Sequence, residues 1–135
     1  VVIDSLSGFE LALASIFREN FRESLYRLTA VLTNMGVTVL MTTELEDRYT
    51  DLRFSSYSNA FLTDAILLLR YVELAGQFKR VISVVKVRAS AHSKDIRFFD
   101  IAKDSIRIGK PLTQYKGIFS GQPTLMEESD SEAPV

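Results

Sequence analysis

The 135-residue sequence has no cysteine. That absence excludes disulfides, thiolate-bound zinc, iron–sulfur clusters and a thiol nucleophile, and it fits a reducing compartment. A single histidine, His92, excludes every motif that needs two. No apolar run approaches the roughly 18 residues of a membrane-spanning helix. Val1 to Ile3 meets Asp4 too soon for a signal peptide. The phosphate-cradling string Gly-x-x-x-x-Gly-Lys-Ser/Thr is also missing. Its nearest approach, Gly109-Lys110-Pro111, lacks the first glycine and the hydroxyl.

What is present is a chain able to fold. Hydrophobic residues make up 47% and charged residues 24%, a globular balance, and the length suits one domain or a large piece of one. The net charge of −1 is unevenly spread. Residues 1–78 hold 6 basic and 10 acidic side chains, a net −4, whereas residues 79–116 hold 10 basic and 3 acidic, a net +7. Residues 117–135 hold only Glu127, Glu128, Asp130 and Glu132, a net −4. The basic third is where an anionic ligand is expected, unless it is simply a solvated strand face.

Val1-Val2-Ile3 is a short β-branched run with no turn, cap or initiator methionine before it, so the sequence is expected to start inside a domain. A short helix is expected within residues 8–15. Residues 18–35 read as an amphipathic helix: Phe21, Leu25, Leu28, Leu32 and Met35 recur at spacings of 4 and 3, with Arg18, Arg22 and Arg27 off the stripe. Gly36 is its stop signal. Val37 to Met41 reads as a strand, and two strands joined by a helix-bearing crossover are expected to be parallel neighbours. A second style begins near Thr63. Residues 64–73 read as a strand, Ala75-Gly76-Gln77 as a turn and residues 80–88 as the returning strand of an antiparallel hairpin. Residues 96–101 and 105–108 add two short strands. The fold class is α/β: parallel strands with a crossover helix, plus an antiparallel hairpin extension at one sheet edge. There is no internal repeat. From Thr124 the chain is polar and acidic and reads as a disordered tail.

Two groups of residues carry candidate chemistry. Open parallel sheets bind ligands beyond the carboxyl ends of their strands. Asp4 ends the first strand and Thr42, Thr43 and Glu44 end the second, so these groups fall at one edge. An apolar strand ending in Asp is the Walker B pattern, which delivers a carboxylate to a Mg²⁺-bound water beside nucleotide phosphates. The competing reading makes Asp4 a turn or helix-cap aspartate. The second group is Lys86-Val-Arg-Ala-Ser-Ala-His92. Alternation puts Lys86 and Arg88 on one strand face about 7 Å apart, downstream of Ile82 and Val84, and Ser90 and His92 join them if the chain stays extended. Two cations with a hydroxyl and an imidazole suit a triphosphate. The competing reading is an edge strand protected by charge.

Four segments then fall into a familiar order. Val1-Val-Ile-Asp-Ser-Leu-Ser7, Val39-Leu-Met-Thr-Thr-Glu44, Leu62-Thr-Asp-Ala-Ile-Leu-Leu-Leu-Arg-Tyr-Val-Glu73 and Lys86-Val-Arg-Ala-Ser-Ala-His-Ser-Lys-Asp-Ile-Arg97 together resemble the KaiC-like branch of the RecA-type P-loop ATPases. Phe119-Ser-Gly-Gln-Pro123 is similar to the closing segment of such a domain. The resemblance implies that residues 1–123 are the C-terminal portion of a KaiC/RecA-like ATPase domain, with residues 124–135 as the acidic tail. It implies a cytoplasmic hexameric ring with ATP and Mg²⁺ between subunits. One subunit supplies the phosphate loop, a glutamate pair and the Walker B carboxylate, which is Asp4 here. The neighbour supplies Lys86 and Arg88 at the γ-phosphate, with Ser90 and His92 on the same nucleotide. Glu44 matches the family's Thr-Thr-Glu segment near the active site. Two positions depart from the pattern: Ala89 replaces the family's usual glycine, and Ala60-Phe61 replaces the Ser-Thr pair phosphorylated in clock members, with Ser55, Ser56 and Ser58 nearby. The resemblance implies an ATPase for the intact protein, and the second departure weakens the transfer of the Ser/Thr autokinase activity that it also offers.

The leading expectation is part of a ring ATPase in circadian-type or signalling regulation, inactive as these residues alone because they hold no phosphate loop. A non-catalytic ring-forming module that binds a signalling protein through a vestigial nucleotide site is the alternative. A DNA-handling role ranks last, since no aromatic residues interleave with the basic ones to stack bases.

Overall fold

The computed structural model describes residues 1–13, 20–44, 62–120 and 123–126. These fall into two compact units, the first holding residues 1–44 with Leu62 and Thr63, the second beginning at Asp64.

The first unit comprises β1 (Val2–Ile3), α1 (Leu6–Ala12), α2 (Phe21–Asn34) and β2 (Leu40–Met41). β1 and β2 pair in parallel, Val2 with Leu40 and Ile3 with Met41, as a helix-bearing crossover requires. α2 stops where Gly36 predicts. Gly36 takes φ +75°, its N–H donates to the Thr33 carbonyl at 2.9 Å and the Val37 N–H to the Leu32 carbonyl at 3.0 Å, closing a Schellman cap. Of the expected 37–41 strand, Val37 spends its donor on this cap, Thr38 and Leu40 bond to Val1, and Leu40–Met41 form β2 itself. The buried stripe differs from the expected one as well. Phe21, Leu25 and Thr29 are buried, while Met35, at the C-cap, is 72% exposed. Thr29 tolerates burial because its hydroxyl donates to the Leu25 and Tyr26 carbonyls, each at 2.9 Å. Leu6, Phe21 and Leu25 form the core of this unit, with Ile3, Phe9, Leu13, Met41 and Leu62 packed around them.

The second unit is an antiparallel sheet of β3 (Ala65–Leu74), β4 (Gln77–Val87), β5 (Ile96–Ile101) and β6 (Ile106–Pro111), in that order. The expected extension of the parallel sheet is therefore a sheet of its own among the described residues. The parallel pair is two residues long, whereas β3 and β4 run to ten and eleven. Gly109 and Lys110 lie in β6, a strand and not a phosphate loop. Val72, Val81, Leu112 and Ile118 form the core, with Ile96, Phe98, Tyr115 and Phe119 packed on it. The Arg70 guanidinium donates to the Phe119 carbonyl at 3.0 Å and ties the hairpin to the short 3₁₀ turn Ile118–Ser120. β7 (Tyr115–Lys116) pairs with β8 (Thr124–Leu125). Thr124 and Leu125 thus pair in a strand where the sequence suggests the tail begins; residues 127–135 lie outside the described residues.

The hairpin turn is the two residues Ala75 and Gly76, with φ +52° and +72°. A two-residue connection with both φ positive matches the strand twist and favours Asn-Gly. Alanine in left-handed backbone costs about 1 kcal/mol. Ala75→Asn is therefore expected to raise the unfolding free energy by about 0.5–1 kcal/mol in a urea titration, and Ala75→Val to lower it.

The β3–β4 register holds one irregularity that alters the site. From the turn, partners run regularly to Leu67 with Val84, and the next pair is Ile66 with Lys86. Val85 is the extra residue of a β-bulge. Side chains of paired residues share a face, so the bulge flips the strand. Lys86 joins the face of Ile66, Leu68 and Val72, where Leu68 and Val72 are buried. Ile82 and Val84 belong to the opposite face with Leu67 and Leu69, both more than half exposed. The expected single row of Ile82, Val84 and Lys86 does not form.

Candidate functional site

The candidate residues of the first unit meet at the carboxyl end of the parallel pair. The Leu6 N–H donates to the Thr42 carbonyl at 2.9 Å and the Thr42 N–H to the Ile3 carbonyl at 3.0 Å, which knits the two strand ends together. The Thr42 hydroxyl donates to the Asp4 carboxylate. The Asp4–Ser5 peptide bond is cis. Asp4 and Thr42–Glu44 are all exposed. Asp4 does not cap the helix: Ser5 is the N-cap of α1, and its hydroxyl accepts the Gly8 N–H at 3.4 Å. The cap reading of Asp4 is thereby set aside, and the carboxylate faces solvent on a fixed base. Among the described residues no group of three or more His, Asp or Glu could cage a metal ion. A lone oriented carboxylate beside hydroxyls suits Mg²⁺, which keeps several waters and is bound through one or two carboxylates together with phosphate oxygens.

The second group sits at the open end of the β3–β4 hairpin. Lys86 is half-buried in the last part of β4, and Arg88 is exposed one residue beyond it. The Arg88 N–H donates to the Asp64 carbonyl at 2.7 Å, and Arg88 Nη1 lies 3.2 Å from Asp64 Oδ1. The cross-strand neighbours of Lys86 and Arg88, Ile66 in β3 and Asp64 just before it, are two residues apart, so the two cations do share a face as alternation predicts. The row ends there. Ala89 turns the chain at φ +55°, so Ser90 and His92 do not continue it. Left-handed backbone favours glycine, and Ala89 adopts it without one. Ser90 is exposed, with its hydroxyl on the Ala91 carbonyl at 3.2 Å, and His92 is half-buried. The loop is pinned downstream, where Ser93 and then Arg97, the latter at 2.8 Å, hold the Asp95 carboxyl below the usual carboxylate range.

Sequence reasoning missed Asp64 as a partner of Arg88. Its signal was available only in part: a ladder counted from the turn without a bulge places Asp64 opposite Val87.

Comparison with known proteins gives a consistent picture. The family model for the KaiC ATPases matches residues 1–113. The circadian clock protein KaiC3 of Synechocystis is 35% identical over 132 residues, which is 98% of this chain and 26% of that protein. The circadian clock oscillator protein KaiC of Prochlorococcus marinus is 33% identical over 135 residues, 100% of this chain and 26% of that protein. The chain thus spans about a quarter of the length of these relatives. The crystal structure of a KaiC-like protein from the hyperthermophilic archaeon Pyrococcus horikoshii superposes with a TM-score of 0.68 at 30% identity, covering 81% of this chain and 46% of that one. No helix among the described residues is long and apolar enough to cross a membrane.

Proposed function

The chain belongs to the KaiC family of RecA-like ATPases, and on that premise we propose that it is the C-terminal part of a domain that hydrolyses ATP between the subunits of a hexameric ring. The ring works in the cytoplasm, in circadian-type or signalling regulation. The observation that carries this reading is Asp4: an exposed carboxylate at the carboxyl end of a parallel strand, held by Thr42 and released from capping by Ser5. Asp4 would help hold the magnesium ion, and Glu44 stands two residues past Thr42 at the same strand end. The ion, when bound, neutralises charge on the phosphate oxygens. Lys86 and Arg88 reach the γ-phosphate of ATP on the adjoining subunit, with Ser90 and His92 beside that nucleotide. Lys86 and Arg88 stand at the open end of the β3–β4 hairpin.

The test is made on the full-length protein. Light scattering is expected to show rings that assemble with Mg-ATP, and a phosphate-release assay to show hydrolysis that EDTA stops. Rings without hydrolysis would point instead to a vestigial nucleotide site on an interaction module.

A further inference from the structure

Asp64 stands immediately before β3 and Arg88 immediately after β4, and the ATPase reading gives Asp64 no task. Its carbonyl takes the Arg88 N–H at 2.7 Å and its carboxylate lies 3.2 Å from Arg88 Nη1. One residue therefore holds the arginine at both its backbone and its head. We infer that Asp64 is a positioning residue for Arg88, aiming the guanidinium before the adjoining subunit's triphosphate arrives. This inference rests on Arg88 acting at that phosphate.

Both side chains are solvent-accessible, 55% for Arg88 and 78% for Asp64, and such surface pairs contribute little to stability. The pair has a different consequence for an arginine that must contact a ligand. A long side chain loses much rotamer freedom on binding, and one already anchored loses less. A cation placed in advance also needs no reorganisation when charge develops on the phosphoryl group. The local backbone converges on the same point. The bulge at Val85 moves Arg88, rather than Val87, opposite Asp64, and the left-handed turn at Ala89 ends the strand directly after it. Bulges commonly re-aim a side chain beside a site.

Asp64→Ala and Asp64→Asn in the full-length ring test this. Asp64→Ala is expected to lower kcat about tenfold, with ATP affinity within about twofold and the melting temperature unchanged. Asp64→Asn, which still accepts a hydrogen bond but carries no charge, is expected to fall between. In mixed rings, Asp64→Ala subunits should regain activity with Asp4→Asn subunits and gain none with Arg88→Ala subunits. Wild-type turnover in Asp64→Ala beside an inactive Arg88→Ala would overturn the positioning role and leave the ATPase reading standing. Recovery with Arg88→Ala but not with Asp4→Asn would place Asp64 at its own subunit's nucleotide and also overturn it. Wild-type turnover in Arg88→Ala itself would remove the reading on which the inference rests.

Discussion

Asp4→Asn in the full-length protein is expected to lower the turnover number for ATP about a hundredfold or more, with nucleotide affinity little changed. The substitution keeps the shape of the side chain. The amide oxygen of Asn can still accept the Thr42 hydroxyl, so the link between the ends of β1 and β2 survives. Ser5 goes on capping α1, since Asp4 takes no part in the cap. What is lost is one negative charge at the place where the proposed function needs magnesium to be held. Such a charge contributes chiefly to the transition state, so the loss appears in kcat and not in binding. Steady-state kinetics, calorimetric titration with Mg-ATP and a thermal melt separate the three quantities. Equal turnover in variant and wild type would reduce Asp4 to a tie between the two strands.

Arg88→Ala is expected to have the larger effect, about a thousandfold or more on ATP turnover, as for cations supplied to a γ-phosphate from outside the nucleotide's own subunit. The fold should tolerate it. Arg88 lies beyond the last residue of β4, its side chain is exposed, and its backbone bond to Asp64 does not need the guanidinium. The decisive measurement is made on mixed rings. Arg88→Ala and Asp4→Asn subunits are each expected to form nearly inactive rings. In randomly mixed rings about a quarter of the interfaces pair an intact Asp4 with an intact Arg88, so activity should return to roughly that fraction of wild type. Well-mixed rings with no recovery would show that Arg88 acts within its own subunit or only shapes the hairpin.

Much of the architecture was legible because it is local. The 3.6-residue spacing of Phe21, Leu25, Leu28 and Leu32 needs no tertiary information to form α2, and Gly36 ends it because few other residues accept its backbone angle. Gly76, at φ +72°, marks the hairpin turn for the same reason. The order of the Asp4, Thr42–Glu44 and Lys86–Arg88 segments pointed to the family that the comparisons show.

The register, and with it the aim of the site, was decided only by the tertiary structure. Val84 and Val85 are both apolar and β-branched, so the sequence reads equally well with or without a bulge between them. Pairing across the sheet selects the bulge, turns Lys86 onto the face of Leu68 and Val72, and brings Arg88 to Asp64. Asp4 is a similar case. Its place outside the helix cap was decided only in the folded chain, where the hydroxyl of Thr42, 38 positions away, engages the carboxylate while Ser5 takes the helix. Periodicity and turn chemistry act over a few residues and are written in the chain. Contacts between distant residues depend on register, where one residue more or less reverses every side chain, and only the folded sheet fixes that count.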